Sequence, residues 1–164
     1  MLTKIWTDFI ALIFKRPARS QVAALCWRQS PTGLEVLLIT SRESKRWVLP
    51  KGWPKKGRSL AQTAVEEAWE EAGVRLASAG AALIGRYRYE KRLASNLPVE
   101  TLVDVYAVQA ASLADEYPEQ DQRQRAWFSP EKAAELVDEP ELAQILRDNL
   151  QSVASPKIKQ PHLD

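Results

Sequence analysis

"KGWPKKGRSLAQTAVEEAWEEAGV", Lys51 to Val74, opens as a basic loop punctuated by glycine and proline and closes on four glutamates. Ser59 with Gln62 three residues later forms a capping box, and Gly73 is a natural stop, so the spacing predicts a helix over 60–72. At about 100° per residue, Ala61, Ala64, Val65, Ala68, Trp69 and Ala72 gather on one side, ready to pack on a sheet. Glu67, Glu70 and Glu71 then share a narrow arc on the other side, with Glu66 at its edge. Like charges at this spacing repel, and no lysine or arginine interleaves them between Arg58 and Arg75. A cation is expected there. Carboxylates on one rigid face are hard oxygen ligands that suit Mg2+, with Mn2+ as a substitute, far better than zinc.

The loop before the helix completes the reading. Between Arg42 and Arg58 stand seven lysines or arginines and one acid, Glu43. Mg2+ keeps several waters and takes phosphate oxygens as further ligands, so a carboxylate cluster beside a basic loop implies a phosphate-bearing substrate. Arg42, Arg46, Lys51, Lys55 and Lys56 are the candidate phosphate ligands, with Lys45 in the same run. Arg86, Arg88, Lys91 and Arg92 on a later strand would form a second wall. Trp53 and Tyr87 or Tyr89 are candidates for stacking a base, against the plainer reading as packing aromatics. The plain alternative for the whole stretch is a solvated charged helix after a basic surface loop.

Outward from this stretch the chain reads as one α+β domain. At 164 residues and 45% hydrophobic content it can bury a core, and its formal net charge of +2 leaves anion attraction to local clusters. Strands are expected near 21–29 and 34–41, separated by the turn "SPTG", and in "WVLP", "AALIGRYRYEKR", "VETLVDVYAVQA" and "RAWFS". Helical periodicity returns from "SPEKAAELV" to "ELAQILRDNL", with Ser129 as N-cap and Pro130 at the first helical position. A mixed sheet with helices is the expected outcome.

The ends are read separately. Residues 1–19 are expected to form an amphipathic helix in which Leu2, Ile5, Trp6, Phe9, Ile10, Leu12 and Ile13 make one apolar face. That face calls for a partner surface: the chain's own domain, a second copy in a homodimer, or a membrane surface reached with Lys15, Arg16 and Arg19. Lys4 and Asp8 interrupt the run and no small-residue cleavage site follows, which argues against export. The domain proper is expected over 20–150 and a loose tail over 151–164. Cys26 is the single cysteine, so no intrachain disulfide forms, it reads as a core thiol, and a reducing cytoplasm suits the chain. The single histidine, His162, lies in the tail, which removes histidine bases, Ser-His triads and His-rich zinc sites. Chemistry falls to carboxylates and lysines.

"GWPKKGRSLAQTAVEEAWEEAGV" resembles the Nudix box: glycine, five residues, glutamate, seven residues, arginine-glutamate, an aliphatic residue, any residue, two glutamates, any residue, glycine and an aliphatic residue. Gly52, Glu67, Glu70, Glu71, Gly73 and Val74 fall in register, with Ala68 at the first aliphatic position. "WVLPKG" before the box and "WFSPEKAAEL" late in the chain also fit the family's plan, so the resemblance covers about residues 20–150. It implies an α/β/α sandwich around a mixed sheet and a hydrolase acting on a diphosphate linkage. It further implies Glu67, Glu70 and Glu71 as metal ligands, one of them able to act as base, and the main-chain carbonyl near Lys51 as completing a metal shell.

Two positions depart from the pattern. Arg58 stands where the family has glutamate, and Glu66 where it has arginine. The exchange reads either as an ion pair with reversed polarity, bracing loop to helix, or as the mark of a weakened or non-catalytic domain that still binds phosphates. "TSRESKRWVLPKGWPKKG" resembles the branch of diphosphoinositol polyphosphate and dinucleoside polyphosphate hydrolases, whose substrates are strongly anionic. An RNA 5′-pyrophosphohydrolase is the rival reading. No aromatic-and-basic strand pattern of an RNA reader appears, so nucleic acid is not the expected partner.

Overall fold

The computed structural model describes residues 19–78, 80–92, 94, 96 and 98–155. The amphipathic helix expected over 1–19 lies outside the described residues apart from Arg19, and so does the tail from residue 156. Among the described residues eight strands and four helices follow in the order β1 (Arg19–Ser30), β2 (Gly33–Thr40), β3 (Trp47–Val48), β4 (Lys51–Gly52), α1 (Leu60–Ala72), β5 (Val74–Leu76), β6 (Ala82–Arg92), β7 (Pro98–Leu113), β8 (Arg125–Phe128), α2 (Pro130–Leu136), α3 (Pro140–Asp148) and α4 (Leu150–Ala154). The short α4 occupies the start of the stretch read as a tail.

β1 is the spine. Its central run, Val22 to Trp27, is apolar at every position because both of its faces are covered there. Ala23, Leu25 and Trp27 point into a core shared with α2, α3 and α4, while Val22, Ala24 and Cys26 point into a second core under α1. β1 pairs in parallel with β7, from Arg19 with Thr101 to Trp27 with Gln109. The other pairings are antiparallel: β1 with β2 and β4, β2 with β3 and β8, and β7 with β5 and β6. The result is the expected mixed sheet between two helical layers, α+β in class. Among the described residues no helix is long and apolar enough to cross a membrane.

Cys26 is fully buried and unpaired, and burial pushes its thiol up to about 12. Two expectations about α1 need correction. Trp69 is not on the packing side but 38% exposed, and the buried positions are Thr63, Ala64, Glu67, Ala68, Glu71 and Ala72. Glu71 follows Ala64 by two turns, so the two side chains lie within about 20° of each other on the wheel. The acidic arc therefore adjoins the alanine stripe and is half inside the protein.

Candidate active site

α1 starts as its sequence dictates. Ser59 accepts a hydrogen bond from the Gln62 amide, the Gln62 side chain accepts one from the Ser59 amide, and Gly73 closes the helix at φ 65°. This fixes the rotation of the helix, and the rotation sets each glutamate. Glu67 lies against Gly52, where even a methyl group would collide with its carboxylate. A side chain at 52 would push the Glu67 carboxylate aside, so glycine here keeps that carboxylate in its place. Glu71 has both oxygens held: the Lys51 amide donates to Oε2 at 3.1 Å and Arg123 Nη2 donates to Oε1 at 2.9 Å.

Glu70 points further outward and meets Lys55, whose Nζ stands 3.0 Å from its Oε1. The same ammonium is 3.3 Å from Glu67 Oε1 and 3.2 Å from Glu66 Oε2. Arg58 Nε lies 2.7 Å from Glu66 Oε1, so the two residues that depart from the family pattern face each other across the loop–helix junction.

A cleft of about 780 Å³ opens beside these carboxylates, and Arg42, Arg46, Lys51, Lys55 and Arg123 all line it. Four of the five candidate phosphate ligands are thus brought together. Lys56 is exposed on the loop and does not line the cleft, and Lys45, at φ 55°, lines an adjoining hollow with Trp47 and Asp121. Arg46 is already engaged, 2.7 Å from Glu139 and 3.3 Å from Asp138. The second wall does not form from Arg86 and Arg88: they pair with Asp104 and Glu100 and do not line the cleft. The side chains of Lys91 and Arg92 lie outside the described residues. Alternation along β6 explains this, since Tyr89, not its arginine neighbours, takes the inward position and donates to Gln21 at the cleft. Tyr87 is 2% exposed in the core and is corrected from a stacking candidate to a packing residue. Trp53, 39% exposed, and Tyr89 remain at the cleft.

Burial governs the titrations here. It raises the Glu67 carboxyl above the usual range and lifts Glu71 to about 7, against the pull of Arg123 and of the Lys51 amide and ammonium. It lowers the Lys51 ammonium, which nearby Glu71 partly offsets. Arg123 is the residue that sequence reasoning missed. It lies at the end of the loop between β7 and β8, 52 positions after Glu71, and its side chain is 8% exposed. It also contacts Glu119 at 3.3 Å and donates to the Thr40 carbonyl at 3.2 Å. The run "DQRQR" gave no periodic or motif signal that could have singled it out.

The donor set fits a divalent cation. Glu67 and Glu70 already hold one cationic group between them, the Lys55 ammonium. With their oxygens turned to Lys55 and Arg123, no three acidic groups among the described residues converge on a single point.

The family model for the NUDIX domain matches residues 19–148. Among solved structures, the Ap4A hydrolase of C. elegans superposes with a TM-score of 0.59 at 18% identity, covering 84% of this chain and 99% of that one. The NUDIX domain of Shewanella oneidensis NrtR, complexed with ADP ribose, gives 0.59 at 17% identity, covering 85% and 96%. A NUDIX hydrolase from Nitrosomonas europaea gives 0.58 at 21% identity, covering 79% and 86%. At these identities the superpositions speak for the fold, whereas the family match runs from the first described strand through the carboxylate helix to the end of α3. On that match the chain belongs to the Nudix family of pyrophosphohydrolases.

Proposed function

We propose that this Nudix domain hydrolyses a diphosphate linkage in a highly anionic small molecule, with diphosphoinositol polyphosphates and dinucleoside polyphosphates as the favoured substrate classes. One observation carries this reading: a cleft lined by Arg42, Lys51, Lys55 and Arg123 runs directly beside Glu67 and Glu71. The cations suit a chain of phosphates, and the acids set among them suit the ions that neutralise it. The two ligand types named for the similar structures, Ap4A and ADP ribose, both contain such linkages, which supports the class without fixing the member.

Nudix hydrolases generally use divalent ions such as Mg2+, with Glu67, Glu70 and Glu71 the residues that would hold them here. Such an ion supplies charge neutralisation for the diphosphate and makes water more acidic. The chain's own residues do the rest. Lys51 and Arg42 would contact the equatorial phosphoryl oxygens, where charge gathers as the bond breaks, while Arg123 holds Glu71 in place. Water attacks one phosphorus, its oxygen forms the new P–O bond, and its proton passes to one of the three glutamates. The anhydride P–O bond breaks, and the departing phosphate leaves with the electron pair. Trp53 and Tyr89 offer aromatic surface to the group beyond the diphosphate. A reducing cytoplasm suits the free Cys26 thiol.

A substrate panel tests the assignment. Nucleoside diphosphate sugars, diadenosine polyphosphates, diphosphoinositol phosphates and 5′-triphosphorylated RNA are compared with Mg2+, with Mn2+ and with chelator. Turnover should require metal and be greatest on the second and third classes. Turnover confined to RNA would overturn the substrate class, and tight binding of all four without turnover would make the domain a phosphate-binding module.

A further inference from the structure

Lys55 belongs to the basic loop and lines the cleft, yet its ammonium lies against the acidic face of the helix. It stands 3.2, 3.3 and 3.0 Å from carboxylate oxygens of Glu66, Glu67 and Glu70. No other lysine or arginine among the described residues has ion pairs with three glutamates. Two of these partners, Glu67 and Glu70, are the ones a divalent ion would need. The loop geometry brings it there: Gly57, at φ 76°, turns the chain and the Arg58 amide donates to the Lys55 carbonyl at 3.1 Å. Arg58 then engages the outer oxygen of Glu66, leaving Lys55 in the centre of the acidic face.

We infer that Lys55 is an internal cation that competes with the divalent ion for Glu67 and Glu70. Without metal it neutralises like charges that would otherwise repel on one helix face. When metal enters, the ammonium gives up Glu67 and Glu70. It lines the phosphate cleft already, so rotation about its flexible stem carries it to the substrate. Metal loading and the appearance of a free phosphate-binding lysine are thereby one event. The inference rests on the metal-dependent reading above and adds that this chain carries its own competitor.

Binding of Mn2+ to the full chain without substrate, followed by the electron paramagnetic resonance of the free ion, tests it independently of turnover. Unit charges this close interact strongly even when screened, so Lys55→Met should tighten Mn2+ binding by about tenfold. Lys55→Arg should bind like the parent. Lys56→Met removes the same charge from a neighbouring exposed site and should change affinity by less than about twofold, since a solvated charge is screened. Unchanged or weaker binding in Lys55→Met, with its thermal unfolding intact, would overturn the inference. So would equal tightening in Lys56→Met, because that would reduce the effect to net charge. Metal-dependent hydrolysis by the parent alongside either result would leave the enzymatic reading standing and remove this inference alone.

Discussion

Arg123 and Glu71 form the most buried ion pair of the site, with side chains 8% and 10% exposed at 2.9 Å. Removing one partner of such a pair strands a charge in a poor solvent, at a typical cost of about 3–5 kcal/mol. Arg123→Met should therefore destabilise the metal-free protein by several kcal/mol, and adding Glu71→Gln should recover much of that loss. The effect has a pH signature. Burial raises the Glu71 carboxyl from 4.5 to about 7, so the folded state holds this proton more tightly than the unfolded chain does. Its stabilising contribution is complete below about 4.5 and is lost as pH rises through about 7. Arg123→Met should hence cost more at pH 8 than at pH 5, as read by urea unfolding with chelator present. Equal losses at both values would contradict the assignment. At this scale the acids were legible and their partners were not: local spacing places Glu67, Glu70 and Glu71 on one face, but nothing local ties Glu71 to a residue 52 positions away.

Between elements, the informative junction is the one from the basic loop to α1. Arg58 and Glu66 meet at 2.7 Å with side chains 54% and 30% exposed, which puts their coupling at under about 1 kcal/mol. Arg58→Glu and Glu66→Arg should each lower the rate, and the double change should recover part of it. Recovery will be incomplete, because Lys55 also stands 3.2 Å from Glu66 and would face the introduced guanidinium. Glu66→Arg should consequently be the more damaging single change. A double-mutant cycle on kcat/KM and on thermal unfolding at low salt decides it, and strictly additive losses would show that the pair is not a brace. The long elements were readable from periodicity and caps, α1 to the residue. β4 and β5 were not foreseen, since unlike the apolar "WVLP" of β3 they carry no apolar run, and they exist because β1 and β7 offer them edges. The misplaced Trp69 has a similar cause: the apolar count gave it to the core, while the stripe of alanines and buried glutamates gave the core-facing side to smaller and charged residues.

Across the whole molecule, two apolar layers hold one sheet, and the cleft lies where β4, the loop from β2 and the acidic side of α1 meet. The continuous apolar run of β1 and the helical periodicity late in the chain made that sandwich legible; the depth of the cleft and the burial of its carboxylates depend on pairings that only the fold creates. The acidic face of α1 is proposed to carry metal-dependent cleavage of a diphosphate. The most direct test is the Mg2+-dependent rate of phosphate release from the best substrate, for the parent chain, Glu67→Gln and Glu70→Gln, each shown to be folded. Loss of one strong electrostatic contact at the reacting centre should lower kcat by about a hundredfold or more in each variant. Rates near the parent's in both, at saturating Mg2+, would contradict the account.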